Sequence, residues 1–378
     1  MNKVYKDYND LPSPAYVCDL SLLEKNLKLL NRIQEEANVN ILLALKGFAL
    51  WSTFDLCKKY LKGCCASGLH EALLAKEEFG KEVHTYAPAF KDDEIDEVLD
   101  LSNHVVFNSF SQWKRYRKKA LKKTSCGLRI NPQYSNVDVD LYNPCAPYSR
   151  LGITKENFED DEVEGIEGLH FHALCEQNVD ALEGVLKAFE KDFSQYFSKL
   201  KWVNFGGGHH ITREDYEVEG LIKLLKSFKE KYPHLEVYLE PGEAVGWQTG
   251  YLMASVLDIV KNDKKIAILD TSAEAHMPDT LAMPYRADIK GAALKDVKQY
   301  SYLLAGNTCL AGDIIGEYSF DTELQIGSKI ILEDMIHYTM VKTTTFNGIK
   351  LPSIVLKEND CYRLVNEYGY NAYKSRLS

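Results

Sequence analysis

One regularity constrains the fold of this chain more than any other. Through the first two thirds, short apolar or β-branched runs alternate with stretches of helical periodicity. Runs at 41–45 (ILLAL), 64–66, 82–85 (EVHT), 105–107 (VVF), 126–130 (CGLRI), 168–172 (GLHFH), 202–205 (WVNF) and 237–240 (VYLE) read as strands. Amphipathic stretches at 52–60, 69–79, 94–101, 112–121, 179–197 and 214–232 lie between most of them. Ser21-Leu22-Leu23-Glu24 has the form of a capping box that opens a helix before the first of these strands. Asp92 or Asp93 is placed to cap another helix. Eight strands alternating with helices predict an α/β protein built on a parallel (β/α)8 barrel, although a doubly wound open sheet shares the same local pattern.

After about residue 246 the rhythm changes. Runs at 251–260, 265–269, 329–332 and 349–356 look like strands separated by Gly, Asp and Asn turns. The last contains Pro352, which predicts an edge strand. The expected organisation is a barrel over 22–246 and a β-rich domain from 1–21 together with 247–378, with a short strand at 15–18 joining the latter. The connection over 131–167, with Pro132, Pro144 and Pro147, reads as an active-site loop region.

A chain of 378 residues is too long for one small core and fits this division. Its formal net charge of −10 argues against a nucleic-acid partner, because phosphate binding needs a basic face. The same charge is compatible with a cationic small substrate. Nine cysteines without a C-x-x-C pattern suggest reduced thiols in a cytoplasmic protein. No N-terminal apolar region marks a signal peptide, and no apolar run approaches the ~20 residues of a membrane-spanning helix.

Functional groups of such barrels sit at the C-terminal ends of strands. There the chain offers Lys46, Arg129, His172, Gly206-Gly207-Gly208 and Glu240-Pro241-Gly242. A lysine after a strand is commonly a solvated charge. Lys46 follows ILLAL, where burial would lower its pKa as a Schiff-base lysine requires. The glycine triplet can be a plain turn, or can let backbone N–H groups approach an anion; it is not a G-x-G-x-x-G fingerprint. Side chains of the adjacent His209 and His210 diverge, and His170 and His172 share a strand face without a third ligand, so no metal site is expected. Glu240, held in a barrel mouth, needs a cationic partner, and a protonated pyridine nitrogen would supply one. Glu243 lies three residues further on.

Ala44-Leu45-Lys46, Cys65-Ala66-Ser67, Phe171-His172, Gly206-Gly207-Gly208, Glu240-Pro241-Gly242, Gly306-Asn307-Thr308-Cys309 and Tyr338-Thr339 occur in order across 44–339. This set resembles the fold-type III pyridoxal-5'-phosphate (PLP) decarboxylases, the alanine racemase-like barrels that act on ornithine, arginine or diaminopimelate. EPGEAVGWQTG, SAEAHMPDTLAMPYR, GNTCLAGDIIGEY and HYTMVKTTTFNG are similar to the branch of that family acting on carboxylated polyamines. The resemblance implies a PLP-dependent carboxy-lyase of polyamine biosynthesis. It implies that Lys46 holds the cofactor as a Schiff base, His172 stacks on the pyridine ring and Glu240 pairs with its nitrogen. Gly207, Gly208 and Tyr338 hold the phosphate, with Arg129 in a supporting network. Cys309 comes from a partner subunit as the proton donor, so the implied assembly is a homodimer with shared active sites.

Departures from the family pattern point to the substrate. Glu243 stands where relatives usually carry Arg; Arg suits an anion and Glu suits an amine. Leu310 follows Cys309 where the ornithine type has Asp, and Asp313 comes later. Cys175 occupies the place of the usual phosphate-loop Ser. Glu243, Asp279 and Asp313 are therefore the expected partners of the substrate's ammonium groups, with Glu317 behind them. A decarboxylase of the diaminopimelate or another basic amino acid type, a racemase, an inactive regulator and a sugar- or phosphate-metabolising barrel are the competing readings.

Overall fold

The structure, a computed structural model, describes residues 3–282 and 284–378, which divide into two compact units. One unit is Glu24–Val245. Its strands Asn40–Ala44, Gly63–Ala66, Glu82–Tyr86, His104–Phe107, Ser125–Arg129, Gly168–His170, Trp202–Asn204 and Glu236–Leu239 pair in parallel and in sequence order. The last strand closes on the first through Tyr238↔Asn40 and Leu239↔Ile41, which excludes the open sheet.

Strand periodicity turns alternate residues into the barrel. Leu42, Val106, Trp202 and Tyr238 pack there as one buried cluster. Trp202 is too large for a uniform layer, and glycine makes its room. A Cβ on Gly127 would lie 2.3 Å from the Trp202 ring, and one on Gly168 would lie 2.1 Å from it. Outside, the helix Val179–Phe197 shows why the connecting segments are amphipathic. Leu182, Leu186, Phe189, Phe193 and Phe197 recur at helical spacing and are all buried, with Phe189 against Phe171 and Phe205. Asn178 starts that helix by accepting the Val179 N–H at 2.8 Å.

The second unit is Met1–Leu23 with Gly246–Ser378, of which the described residues form a mixed sheet. The long strand Gly250–Asn262 organises it, pairing with Ala15–Asp19, Lys264–Leu269 and Lys329–Glu333. Tyr300–Ala305 and Ile314–Phe320 form an antiparallel pair that the sequence patterning had not marked. Their connection, 306–313, carries Cys309.

Three local expectations need correction. The helix Leu20–Ala37 is capped by Asp19, whose Oδ1 accepts the N–H of Ser21 at 3.0 Å and the Ser21 hydroxyl at 2.5 Å. Asp19 sits at the true boundary, two residues before the predicted cap Ser21, and its ionised carboxylate is a stronger acceptor than the serine hydroxyl. Neither Asp92 nor Asp93 caps the helix Ile95–Leu101; Asp92 instead accepts the hydroxyl of Tyr116 at 2.8 Å. The segment 349–356 is not an edge: Ser353–Glu358 lies between Ala15–Asp19 and Cys361–Asn366. Pro352 precedes the first paired residue, so its missing N–H removes no ladder hydrogen bond.

Candidate active site

The C-terminal ends of the barrel strands bring together Lys46, Arg129, His172, the glycine triplet and Glu240. Lys46 Nζ lies 3.4 Å from His172 Nε2. The N–H of Gly207 donates to His172 Nδ1 at 2.8 Å. An imidazole that accepts at Nδ1 and stays neutral must carry its proton on Nε2, facing the lysine. Burial first, and then Lys46 and Arg129, push the His172 pKa well below its usual value, which keeps the ring neutral. Desolvation likewise lowers the Lys46 ammonium pKa, with Cys65 and Glu240 opposing and Arg129 reinforcing. The lysine side chain keeps exposed surface where it follows the strand Asn40–Ala44. A lysine poised toward the free amine beside a neutral histidine is the arrangement a carbonyl-binding nucleophile requires.

Glu240 is the opposite case. Burial works against an anion there, but His170 Nε2 lies 3.4 Å from one carboxylate oxygen and Asn204 Nδ2 donates to the other at 2.7 Å. These groups hold the Glu240 pKa well below the usual carboxylate range, so the mouth contains a fixed buried anion. Arg129 sits behind this constellation. Its guanidinium lies 4.5 Å from the Tyr86 ring centroid and donates to the His172 carbonyl at 3.2 Å, while its buried Nε has no partner among the described residues.

The glycine triplet packs differently from a simple anion loop. Gly207 uses its N–H on His172, and a Cβ there would lie 2.3 Å from the Glu240 carbonyl oxygen. Close backbone approach, rather than a free donor, is therefore what requires glycine at 207. Gly206 donates to Asn204 Oδ1 at 2.9 Å. Gly208, at φ +83°, keeps an N–H without an acceptor among the described residues and can meet an anion. Cys175 is half-buried and its thiol is pushed up to about 11 by burial, so it stays protonated at neutral pH. Glu243 has His210 Nε2 at 3.9 Å from its carboxylate. A buried anion, a poised amine, a neutral imidazole and an available N–H fit a cofactor with a cationic ring nitrogen, an aldehyde and a phosphate.

The remaining expected residues belong to the sheet unit. Cys309 is exposed in the 306–313 connection, and its N–H donates to Asn347 Oδ1 at 2.6 Å. Asp279 accepts from Lys342 Nζ at 2.5 Å, and that ammonium lies 5.3 Å from the Tyr338 ring centroid. Asp313 departs from expectation. It is buried, and its oxygens accept from Ser272 Oγ, from the N–H groups of Ala273 and Glu274, and from the N–H and hydroxyl of Thr308. Five donors make it a brace of the cysteine loop rather than a ligand for an incoming amine. Glu317 pairs with Lys264 at 2.7 Å and Lys295 at 3.5 Å.

The sequence reading passed over Asn204 and Tyr86 and left His170 without a role beside Glu240. Strand parity would have found two of them. Asn204 stands two residues after inward Trp202, and Tyr86 two after His84.

Comparison with known proteins gives the family. Residues 15–336 match the family described as pyridoxal-dependent decarboxylase, C-terminal sheet domain. A carboxynorspermidine/carboxyspermidine decarboxylase of Campylobacter jejuni is 52% identical over 381 residues, covering 98% of this chain and 99% of that protein. A carboxyaminopropylagmatine decarboxylase of Synechocystis is 45% identical, covering 98% of this chain and 96% of that one. The crystal structure of carboxynorspermidine decarboxylase complexed with norspermidine, from Campylobacter jejuni, superposes with a TM-score of 0.91 at 50% identity, covering 97% of this chain and 100% of that one.

Proposed function

This chain belongs to the pyridoxal-dependent decarboxylases with a C-terminal sheet domain, and from that premise we propose that it removes CO2 from carboxynorspermidine or carboxyspermidine in polyamine biosynthesis. What carries the choice of substrate is the 52% identity, across almost the whole of both chains, to the Campylobacter jejuni relative. PLP, when bound, supplies an electron sink for the bond to the departing carboxylate.

The chain's own residues divide the remaining work. Lys46 holds the cofactor covalently. His172, locked by Gly207, would lie against the cofactor ring, and Glu240 would keep its nitrogen protonated. Gly208 of the barrel unit would offer its N–H to the phosphate, with Gly207 contributing through its close approach to Glu240, and Tyr338 is the phosphate residue expected from the sheet unit. Arg129 braces His172. Cys309, contributed by the partner subunit of a homodimer, gives a proton to the carbon that loses CO2. Glu243 and Asp279 receive the ammonium groups of the polyamine tail. Asp279 already accepts one ammonium, that of Lys342, beside the face of Tyr338. Nine free cysteines, with no disulfide among the described residues, support a cytoplasmic setting. Among those residues no helix is long and apolar enough to cross a membrane.

The test is CO2 release from a substrate panel. Carboxynorspermidine and carboxyspermidine differ by one methylene, worth about 1–3 kcal/mol, so both are expected to react, within about 200-fold of each other. Diaminopimelate would set its distal carboxylate against Glu243 and is expected to be at least about 100-fold poorer. Preference for diaminopimelate overturns the proposal. The Synechocystis relative supports a second reading, and preference for carboxyaminopropylagmatine would select it.

A further inference from the structure

The decarboxylation uses one end of the barrel. At the opposite, N-terminal end of the strands lies a second group of titratable side chains with no part in that chemistry. Glu82 and His104 are the first residues of their strands, and His84 is the register partner of His104. We propose that Glu82, His84 and His104 form a binding site for a divalent metal ion of the zinc type.

The geometry carries this. One ligand atom from each residue lies within 4.8 Å of the other two. Glu82 Oε1 is 3.0 Å from His84 Nε2 and 3.9 Å from His104 Nε2. A tetrahedral ion with bonds near 2.0–2.1 Å sets its ligands about 3.3 Å apart, between those two values. His84 Nε2 and Glu82 also form an ordinary hydrogen bond, but that pair does not explain His104. The 3.9 Å from His104 to the carboxylate is beyond hydrogen-bond reach. The Nδ1 atoms of both histidines are buried without a partner among the described residues. An apolar ring would fill the same space in the stack, where His104 lies 3.9 Å from His84 and 4.6 Å from Trp202. The His104 imidazole is thus kept in the barrel with no hydrogen bond among the described residues to account for it, whereas His84 has one, to Glu82.

Their chemistry suits a metal. A neutral imidazole binds such an ion through a ring-nitrogen lone pair, and His104 Nε2 is the ring atom on the Glu82 side, 3.9 Å from its carboxylate. The carboxylate is already oriented: the Tyr238 hydroxyl lies 3.1 Å from Glu82 Oε1, and Lys62 Nζ lies 3.6 Å from Oε2. Lys62 is half-exposed and can swing toward solvent when a cation arrives. The Glu82 and His104 side chains retain some exposure, which leaves the fourth coordination position to water.

The test is zinc binding to the PLP-loaded enzyme by equilibrium dialysis, comparing the wild type with His104→Phe and Glu82→Gln. Phenylalanine preserves the ring stack and removes the ligand atom. One zinc ion more per chain is expected in the wild type, with at least about tenfold weaker binding in each variant. An anomalous difference map from zinc-soaked wild-type crystals is expected to place a peak among the three side chains, a result that does not depend on either variant folding. Equal zinc binding in the wild type and His104→Phe, or anomalous peaks only at cysteines, overturns the site.

Discussion

Lys46 and Asp313 show how far a residue's surroundings decide its task. Burial lowers the Lys46 ammonium pKa, so the folded site releases that proton more readily than free lysine does. The neutral amine fraction therefore rises with pH and saturates below the ordinary lysine value of 10.5. The rate at which apoenzyme takes up PLP is expected to climb with pH and level off below that value; a climb continuing to 10.5 and beyond would contradict the lowered pKa. Asp313 is a carboxylate that composition alone would lend to a cationic substrate. Its five donors give it to the loop around Thr308 instead. Asp313→Ala is expected to cost about 3 kcal/mol in denaturant unfolding, because buried donors lose their acceptor. A substrate-binding role would instead raise KM and leave stability unchanged.

At the scale of elements, the barrel was legible because its signal is periodic and repeated. All eight strands fall where short apolar runs separate helical stretches, with ends displaced by no more than two residues. Lys46, His172 and Glu240 were legible for the same reason, since strand ends locate them. Tyr300–Ala305 and Ile314–Phe320 were missed because they lie in a mixed sheet and bury only part of each face, so no clean alternation announces them. Tertiary packing also set details that local pattern could not, such as Trp202 lying over two glycines of neighbouring strands. Gly168→Ala would drive a methyl group into that ring, where the space is 2.1 Å. Overpacking of this kind is expected to cost about 1–3 kcal/mol, read as a lower denaturant midpoint, with partial recovery in Gly168→Ala/Trp202→Phe. Unchanged stability would mean that the barrel interior relaxes more freely than its packing indicates.

At the scale of the whole molecule, the chain separates a barrel unit, which holds the Lys46–His172–Glu240 constellation, from a sheet unit, which holds Cys309 and Asp279. If Cys309 serves the partner's site, Lys46→Ala and Cys309→Ala chains should each be inactive alone and regain about a quarter of wild-type activity when mixed as dimers, because one of the two sites in each hybrid is then intact. Mixtures that stay inactive would place both residues in the site of one chain. The proposed decarboxylation depends on where the cofactor is held. Borohydride reduction of the PLP-loaded enzyme followed by peptide mapping tests that directly. The pyridoxyl group is expected on Lys46 and to be absent from Lys46→Ala; its recovery on another lysine of the wild-type chain would contradict the assignment.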